Sequence, residues 1–339
     1  MTPVELPRTQ SGTEPQLLLT SLLGDFWYWR DEHVPSQALV RLLAEFGITA
    51  DSARAAMRRL AARGLLTVRR VGRTTAYGIP PRTSEVVVER THRMLSFGSV
   101  TPPWDGYWTV VAFSVPETDR DVRSLVRARL RTLRFAALYD GVWVSPHDSA
   151  DETRAALADL GVGSATVFRA RTVGATGAAG DPVGAFPLDA LATDYRRFAD
   201  RYRPLLDVAE RGTVTPAEAL RLRTELRVAW RAFPEEDPDL PAELLPPDWP
   251  RAEAQAVFLR IYDLLGPVAE QRFREVLAET DPELARLARH HDSAEIARLF
   301  RALGDRRPAG DTPFEQAARA RRLRESMSGP APAGRRGRS

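Results

Sequence analysis

The sequence predicts an α+β chain with an N-terminal winged helix-turn-helix, a central ferredoxin-like βαββαβ unit and a helical C-terminal domain. Three observations carry this reading. Residues 47–77, GITADSARAAMRRLAARGLLTVRRVGRTTAY, read as a tight turn, a helix and a basic hairpin. Residues 107–171 alternate strand-like and helix-like periodicity in the order strand, helix, strand, strand, helix, strand. From residue 188 onward the apolar residues recur mainly at helical spacing.

Residues 1–14 are polar, contain two prolines and show no periodicity, so they are expected to be a disordered lead-in. The winged helix with its linking helix is expected over residues 15–98. In QLLLTSLLGDFWYWR, residues 16–30, the apolar spacing is helical, and Pro35 with Ser36 starts a second helix that runs to about Phe46. Gly47 supplies the break, Ile48 plugs the core, and Thr49 or Asp51 can cap the third helix. On a helical wheel Ala53, Ala56, Met57 and Leu60 share the inward side, while Asp51, Ala55, Arg58 and Ala62 centre the outward side. The runs Leu65–Val71 and Thr74–Ile79 then flank Gly72 and Arg73 as a hairpin.

Charge points to a nucleic acid. Residues 52–73 hold seven arginines (Arg54, Arg58, Arg59, Arg63, Arg69, Arg70 and Arg73) and no acid, whereas the whole chain is only +3. The rest of the chain is therefore net acidic, and the positive field is local, as expected of a duplex-DNA binder. The chain has no lysine, so its bias to arginine weakens an argument from one arginine but not from a cluster. Arg58 is the expected base reader, Arg54 and Arg59 mixed base and phosphate contacts, and Ser52, Arg69, Arg70 and Arg73 complete the candidate surface.

Composition excludes other classes. With 43% apolar and 27% charged residues over 339 positions, the chain has room for two or three domains. No apolar run approaches the roughly 20 residues that span a bilayer, and the N-terminus lacks the blocks of a signal peptide, so a cytoplasmic location and no membrane partner are expected. The absence of cysteine excludes disulfides, thiolate zinc sites and cysteine nucleophiles. Five histidines (His33, His92, His147, His290 and His291) include no His-x3-His pair, so neither a metal site nor a cofactor is expected.

Beyond the hairpin, residues 85–97 read as a linking helix and Pro102–Pro103 as a boundary. The ferredoxin-like unit is expected over 104–173, with an arginine-rich helix from Asp119 to Leu133 and a turn at Asp140 and Gly141 between two strands. A helical domain is expected over 185–305, with helices at 188–209, 216–233, 251–265 and 267–279, then shorter pieces to Arg301. Residues 306–339 read as a flexible tail.

The blocks LLGDFWYWR, FGITADSARAAMRRLAARGLL with VRRVGRTTAYGI, WDGYWTVVAFSVPETDRDVRSLVRARLRTLRF, YDGVWVSP and AWRAFPEEDPDLPAELLPPDWP resemble the PaaX family of phenylacetic acid degradation repressors, in that order over roughly residues 16–280. The resemblance implies an N-terminal winged helix, a Cas2-like central domain and a helical C-terminal domain that assists dimerisation. It also implies a homodimeric repressor bound to a double-stranded operator with an inverted repeat. An aryl acyl-CoA thioester releases the namesake proteins, so a small-molecule effector of that kind is expected. An acyl-CoA pocket needs aromatic walls and phosphate-binding arginines. The candidates are Trp108, Arg131, Trp143, His147, Arg196, Arg197 and Arg227. The chain departs from the family where Gly-Phe-Gly is common after the central helix, having Arg134, Phe135 and Ala136 instead.

Two enzymatic alternatives remain in view. Cas2 nucleases hold a divalent metal on an aspartate near the end of the first strand, where this chain has Ser114, with Glu117 and Asp119 beyond. An acyl-CoA hydrolase could use Ser145 before Pro146 and His147, although no Gly-x-Ser-x-Gly elbow surrounds it. No catalytic activity is expected.

Overall fold

The structure is a computed structural model that describes residues 14–72, 74–99, 103–116, 119–177 and 180–302. The expected lead-in before residue 14 and the tail over 306–339 lie outside the described residues. The chain mixes helix and sheet and divides into two compact units, Met1–Phe97 with Tyr202–Ala232 and Ala256–Ser339, and Gly98–Arg201 with Phe233–Gln255. The expected helical region is thus distributed over both.

In the first unit, α1 (Pro15–Phe26), α2 (Ser36–Ala44) and α3 (Ala50–Ala62) pack together, joined by β1 (Val34–Pro35) and a turn at Gly47. Gly47 sits at φ +74, in the left-handed region that favours glycine. The threonine rather than the aspartate caps α3: Thr49 Oγ1 accepts from the Ser52 amide at 3.3 Å. Ala53, Ala56, Met57 and Leu60 form its buried face, as the wheel predicts.

A three-stranded antiparallel sheet follows in the order β1-β3-β2, with β2 at Thr67–Val71 and β3 at Thr74–Gly78. Val68 pairs with Tyr77 and Val71 with Thr74, leaving a two-residue link that begins at Gly72, φ +60. The pairing of Val34 with Tyr77 was not foreseeable, because two residues show no periodicity.

Helices α4 (Pro81–Ser96), α8 (Pro216–Trp230), α10 (Arg251–Ala278), α11 (Pro282–Ala285) and α12 (Ser293–Ala302) contribute to the same unit, α10 from Ala256 onward. Against expectation, α10 runs unbroken through Gly266 and Pro267. A proline inside a helix removes one hydrogen bond, a loss that packing can override. Packing also explains the glycine: a Cβ at Gly266 would lie 2.5 Å from the His290 ring and 2.8 Å from the Arg223 guanidinium.

The second unit is built on a four-stranded antiparallel sheet, order β5-β6-β4-β7, from β4 (Trp108–Phe113), β5 (Ala136–Tyr139), β6 (Val142–Ser145) and β7 (Ala165–Ala170). Helices α5 (Arg120–Thr132) and α6 (Ala150–Asp159) complete the βαββαβ order. Strand alternation sends successive side chains to opposite faces. Val111 and Trp143 face the side covered by Val126 and Leu130 of α5 and Leu157 of α6. Trp108 and Val144 face the other side, covered by Phe186 and Leu240.

Residues 233–255, with α9 (Phe233–Glu236), are held to this unit by polar contacts. The Tyr195 hydroxyl, on the first part of α7 (Leu188–Glu210), donates to buried Asp237 at 2.5 Å, and Arg251 pairs with Asp239 at 2.8 Å. Arg134 occupies a left-handed conformation at φ +64, the kind of position a glycine of the Gly-Phe-Gly pattern takes without strain. Its guanidinium pairs with Asp239 at 3.2 Å and donates to the Asp237 carbonyl at 3.3 Å. Those bonds offset a backbone strain of roughly 1 kcal/mol or more.

Candidate nucleic-acid interface

The candidate surface is built by α3 and the β2–β3 hairpin. Burial of Ala53, Ala56, Met57 and Leu60 at i, i+3, i+4 and i+7 forces the remaining positions outward. Ser52, Arg54, Arg58 and Arg59 are all exposed. Arg54 pairs with Asp51 one turn earlier at 3.2 Å, whereas no acid among the described residues pairs with Arg58 or Arg59. The small side chains of Ala55 and Ala62 flank Arg58, so nothing bulky on the helix blocks close approach.

The hairpin adds Arg69 and Arg70, both exposed on the edge strand β2. Val68, on the same strand, leaves 53% of its surface in solvent, an apolar spot within the basic surface that sequence reasoning missed. Arg73 lies outside the described residues. The hairpin base is fixed by His33, whose Nε2 is 3.0 Å from Thr67 Oγ1 and whose ring a Cβ at Gly78 would approach to 2.7 Å. Six of the seven predicted DNA contacts are therefore exposed on one helix and the hairpin strand that follows it.

The predicted effector residues do not assemble in this way. Trp108 and Trp143 are 3% and 2% exposed on opposite faces of the sheet, so they cannot wall one pocket. Arg131 lies over the Trp143 ring at 5.4 Å from its centroid. His147 is tied by Nε2 to the Pro238 carbonyl at 2.8 Å, and burial holds its pKa below the usual imidazole value. On α7, Arg197 pairs with Asp194 at 3.0 Å and Arg196 lies 3.7 Å from Asp248. Arg227 belongs to the first unit, where its guanidinium is engaged with Asp25 and Thr91.

Of the residues weighed for catalysis, the Ser114 amide donates to the Ser164 carbonyl at 2.9 Å, and Asp119 precedes α5 as its N-cap residue. Ser145 is fully buried, with its hydroxyl accepting from the His147 amide at 3.4 Å. Glu117 lies outside the described residues. Among the described residues no three His, Cys, Asp or Glu side chains converge as a metal site, and no helix is long and apolar enough to cross a membrane.

An arginine-faced helix followed by a basic hairpin defines a candidate DNA-contacting protein class. The chain belongs to the PaaX family. Its residues 14–81 match the model described as PaaX-like protein, 101–180 the PaaX protein central Cas2-like domain, and 186–275 the PaaX-like protein C-terminal domain. It is 27% identical over 267 residues to the transcriptional repressor PaaX of Escherichia coli (strain K12), covering 76% of this chain and 82% of that protein. Among solved structures it is similar to the uncharacterized protein Rv0674 from Mycobacterium tuberculosis, with a TM-score of 0.51 and 23% identity, over 78% of this chain and 98% of that one. That second likeness is one of fold alone. The kinship with a repressor favours a regulator over a metal-dependent nuclease or an acyl-CoA hydrolase.

Proposed function

We propose that this chain is a sequence-specific transcriptional regulator of the repressor type, which binds duplex DNA through a winged helix-turn-helix. The observation that carries the proposal is the outward face of α3, where Arg58 and Arg59 are exposed with no acid pairing among the described residues. Family membership and the named relative supply the regulatory role. The order of helices and of β1-β3-β2 supports the winged-helix reading, and the order β5-β6-β4-β7 with both helices on one face supports a ferredoxin-like central unit.

In this reading α3 enters the major groove, where Arg58 addresses a guanine edge, Ser52, Arg54 and Arg59 share base and phosphate contacts, and Arg69, Arg70 and Arg73 meet the backbone. A homodimer would place two such helices on an inverted repeat, with half-sites about 10 base pairs apart or a multiple of that spacing. A small-molecule effector of the acyl-CoA class would release it, provided that it binds the two states unequally. The effector residues require a different grouping from the one predicted, since the two tryptophans face apart.

Selection of duplexes from a random pool by the full-length protein, followed by affinity titration, tests the proposal. An enriched inverted-repeat motif is expected. Equal affinity for every duplex, or no duplex affinity at low salt, overturns it.

A further inference from the structure

Helix α1 is not the one-sided surface helix that a winged domain standing alone would carry. Every residue from Leu17 to Phe26 is buried, including Thr20, Ser21 and Asp25. One side packs on α3 and another on α8. Phe26 stacks on Phe273 of α10 with centroids 4.8 Å apart, and Trp29 meets the His291 ring edge-on at 4.3 Å.

Within this enclosure Asp25 is only 2% exposed. Arg223 of α8, with no exposed surface at all, grips it through Nε at 2.6 Å and Nη2 at 3.0 Å. Arg227, one turn on, reaches the same carboxylate at 3.4 Å, and the Tyr262 hydroxyl of α10 donates to it at 2.7 Å. Arg223 also donates to the carbonyls of Tyr262 and His291, and Arg227 to Thr91 Oγ1 of α4 at 2.8 Å. The Arg223 guanidinium lies 3.6 Å over the Tyr262 ring centroid. Burial alone would favour the protonated acid, but Arg223, then Arg227, outweigh it and hold the carboxyl below its usual range.

Buried ion pairs add little stability over well-packed apolar side chains, but their geometry is exacting and can fix registry. A two-pronged guanidinium–carboxylate bond is satisfied at one mutual orientation of its two helices. We infer that Asp25 is a positioning residue: gripped by Arg223, Arg227 and Tyr262, it sets the angle of α1, and through α1 that of α3, relative to α8 and α10. The DNA-reading unit then extends beyond the first 97 residues to α8 and α10, and any influence on these helices reaches the groove-binding surface. This inference rests on the reading that α3 meets DNA.

The test uses the full-length protein carrying Asp25→Asn, Tyr262→Phe or Arg227→Lys. Each variant is titrated against the selected duplex and a scrambled duplex, with thermal melting recorded alongside. Non-specific affinity comes from phosphate contacts that tolerate a tilted helix, whereas base contacts do not. The expected result is a fall of about tenfold or more in the specific-to-scrambled affinity ratio for Asp25→Asn, and a smaller fall for the other two, in protein that still melts cooperatively. That loss corresponds to about 1.4 kcal/mol. A lowered melting temperature with the ratio unchanged in folded protein overturns the inference and leaves the side chain as packing only. If Asp25→Asn does not fold, Tyr262→Phe and Arg227→Lys decide by the same ratio. A wild-type protein that cannot distinguish the two duplexes defeats the DNA reading itself.

Discussion

Helices α3 and α5 are each 13 residues long and rich in arginine, yet they spend their arginines differently. Helix α5 has the more: Arg120, Arg123, Arg127, Arg129 and Arg131, against Arg54, Arg58 and Arg59. Several of those on α5 are engaged close to home. Arg123 donates to the Val115 carbonyl at 2.8 Å, Arg127 pairs with Asp140, and Arg131 covers Trp143. On α3, Arg58 and Arg59 face solvent with no acid paired to them among the described residues. In a chain whose only basic side chains besides histidine are arginines, density alone does not mark a binding surface; uncommitted charge does.

The inner faces of the two helices set the largest expected effect. Met57 in α3 and Leu130 in α5 are both buried in apolar surroundings, so Met57→Ala and Leu130→Ala should each destabilise by about 2–5 kcal/mol. Denaturant unfolding checks this, and a loss confined to one of the two would break the symmetry of the inner faces.

Each compact unit also encloses an imidazole, His291 buried in one and His147 half-buried in the other. Burial lowers the pKa of both below the ordinary value. The unfolded chain takes up a proton near pH 6.5 while the folded form resists it until lower pH. Stability is therefore expected to fall as pH drops below about 6.5, the loss levelling off below the folded pKa values. Asp25, whose folded pKa is depressed, adds a further loss as pH falls from about 4 toward that value. Melting temperatures recorded between pH 7.5 and 5.5, values chosen about one unit either side of the unfolded histidine pKa, should decline. A flat or rising profile contradicts the burial account.

Charge on the hairpin should act in a smaller and sequence-independent way. Arg69→Ala and Arg70→Ala are expected to weaken all duplexes alike and lower the salt slope by about 1 each. Unchanged slopes would remove the hairpin from the interface. Smallest of all, Arg127→Ala in α5 removes an exposed ion pair with Asp140 and should change stability by no more than about 1 kcal/mol. A larger cost would mean that α5 relies on its charges more than its geometry indicates.

What was legible in the sequence follows from range. The inward and outward faces of α3 were readable because one stretch of amphipathic helix carries both. The turn at Gly47 and the β2–β3 hairpin were readable for the same local reason. Gly266 and Pro267 suggested a break because their local preference is real, and long-range packing of α10 overrode it. Asp25 was invisible because its partners lie 198 and 237 residues away along the chain. One signal was present: LLLTSLLGDFWYW is apolar almost all round, which marks a helix enclosed on every side. That the effector candidates Trp108 and Trp143 face opposite sides of the sheet was not legible, since it depends on register across non-adjacent segments.

The contrast between free and committed arginines is tested most directly by paired titration of Arg58→Ala and Arg131→Ala against the selected duplex at one salt concentration. Arg58→Ala should lose about 1–3 kcal/mol of specific binding and relax the preference at one base position. Arg131→Ala, drawn from a helix with more arginines, should bind as wild type. Equal losses in the two variants, or the larger loss in Arg131→Ala, would contradict the assignment of α3 as the helix that reads DNA.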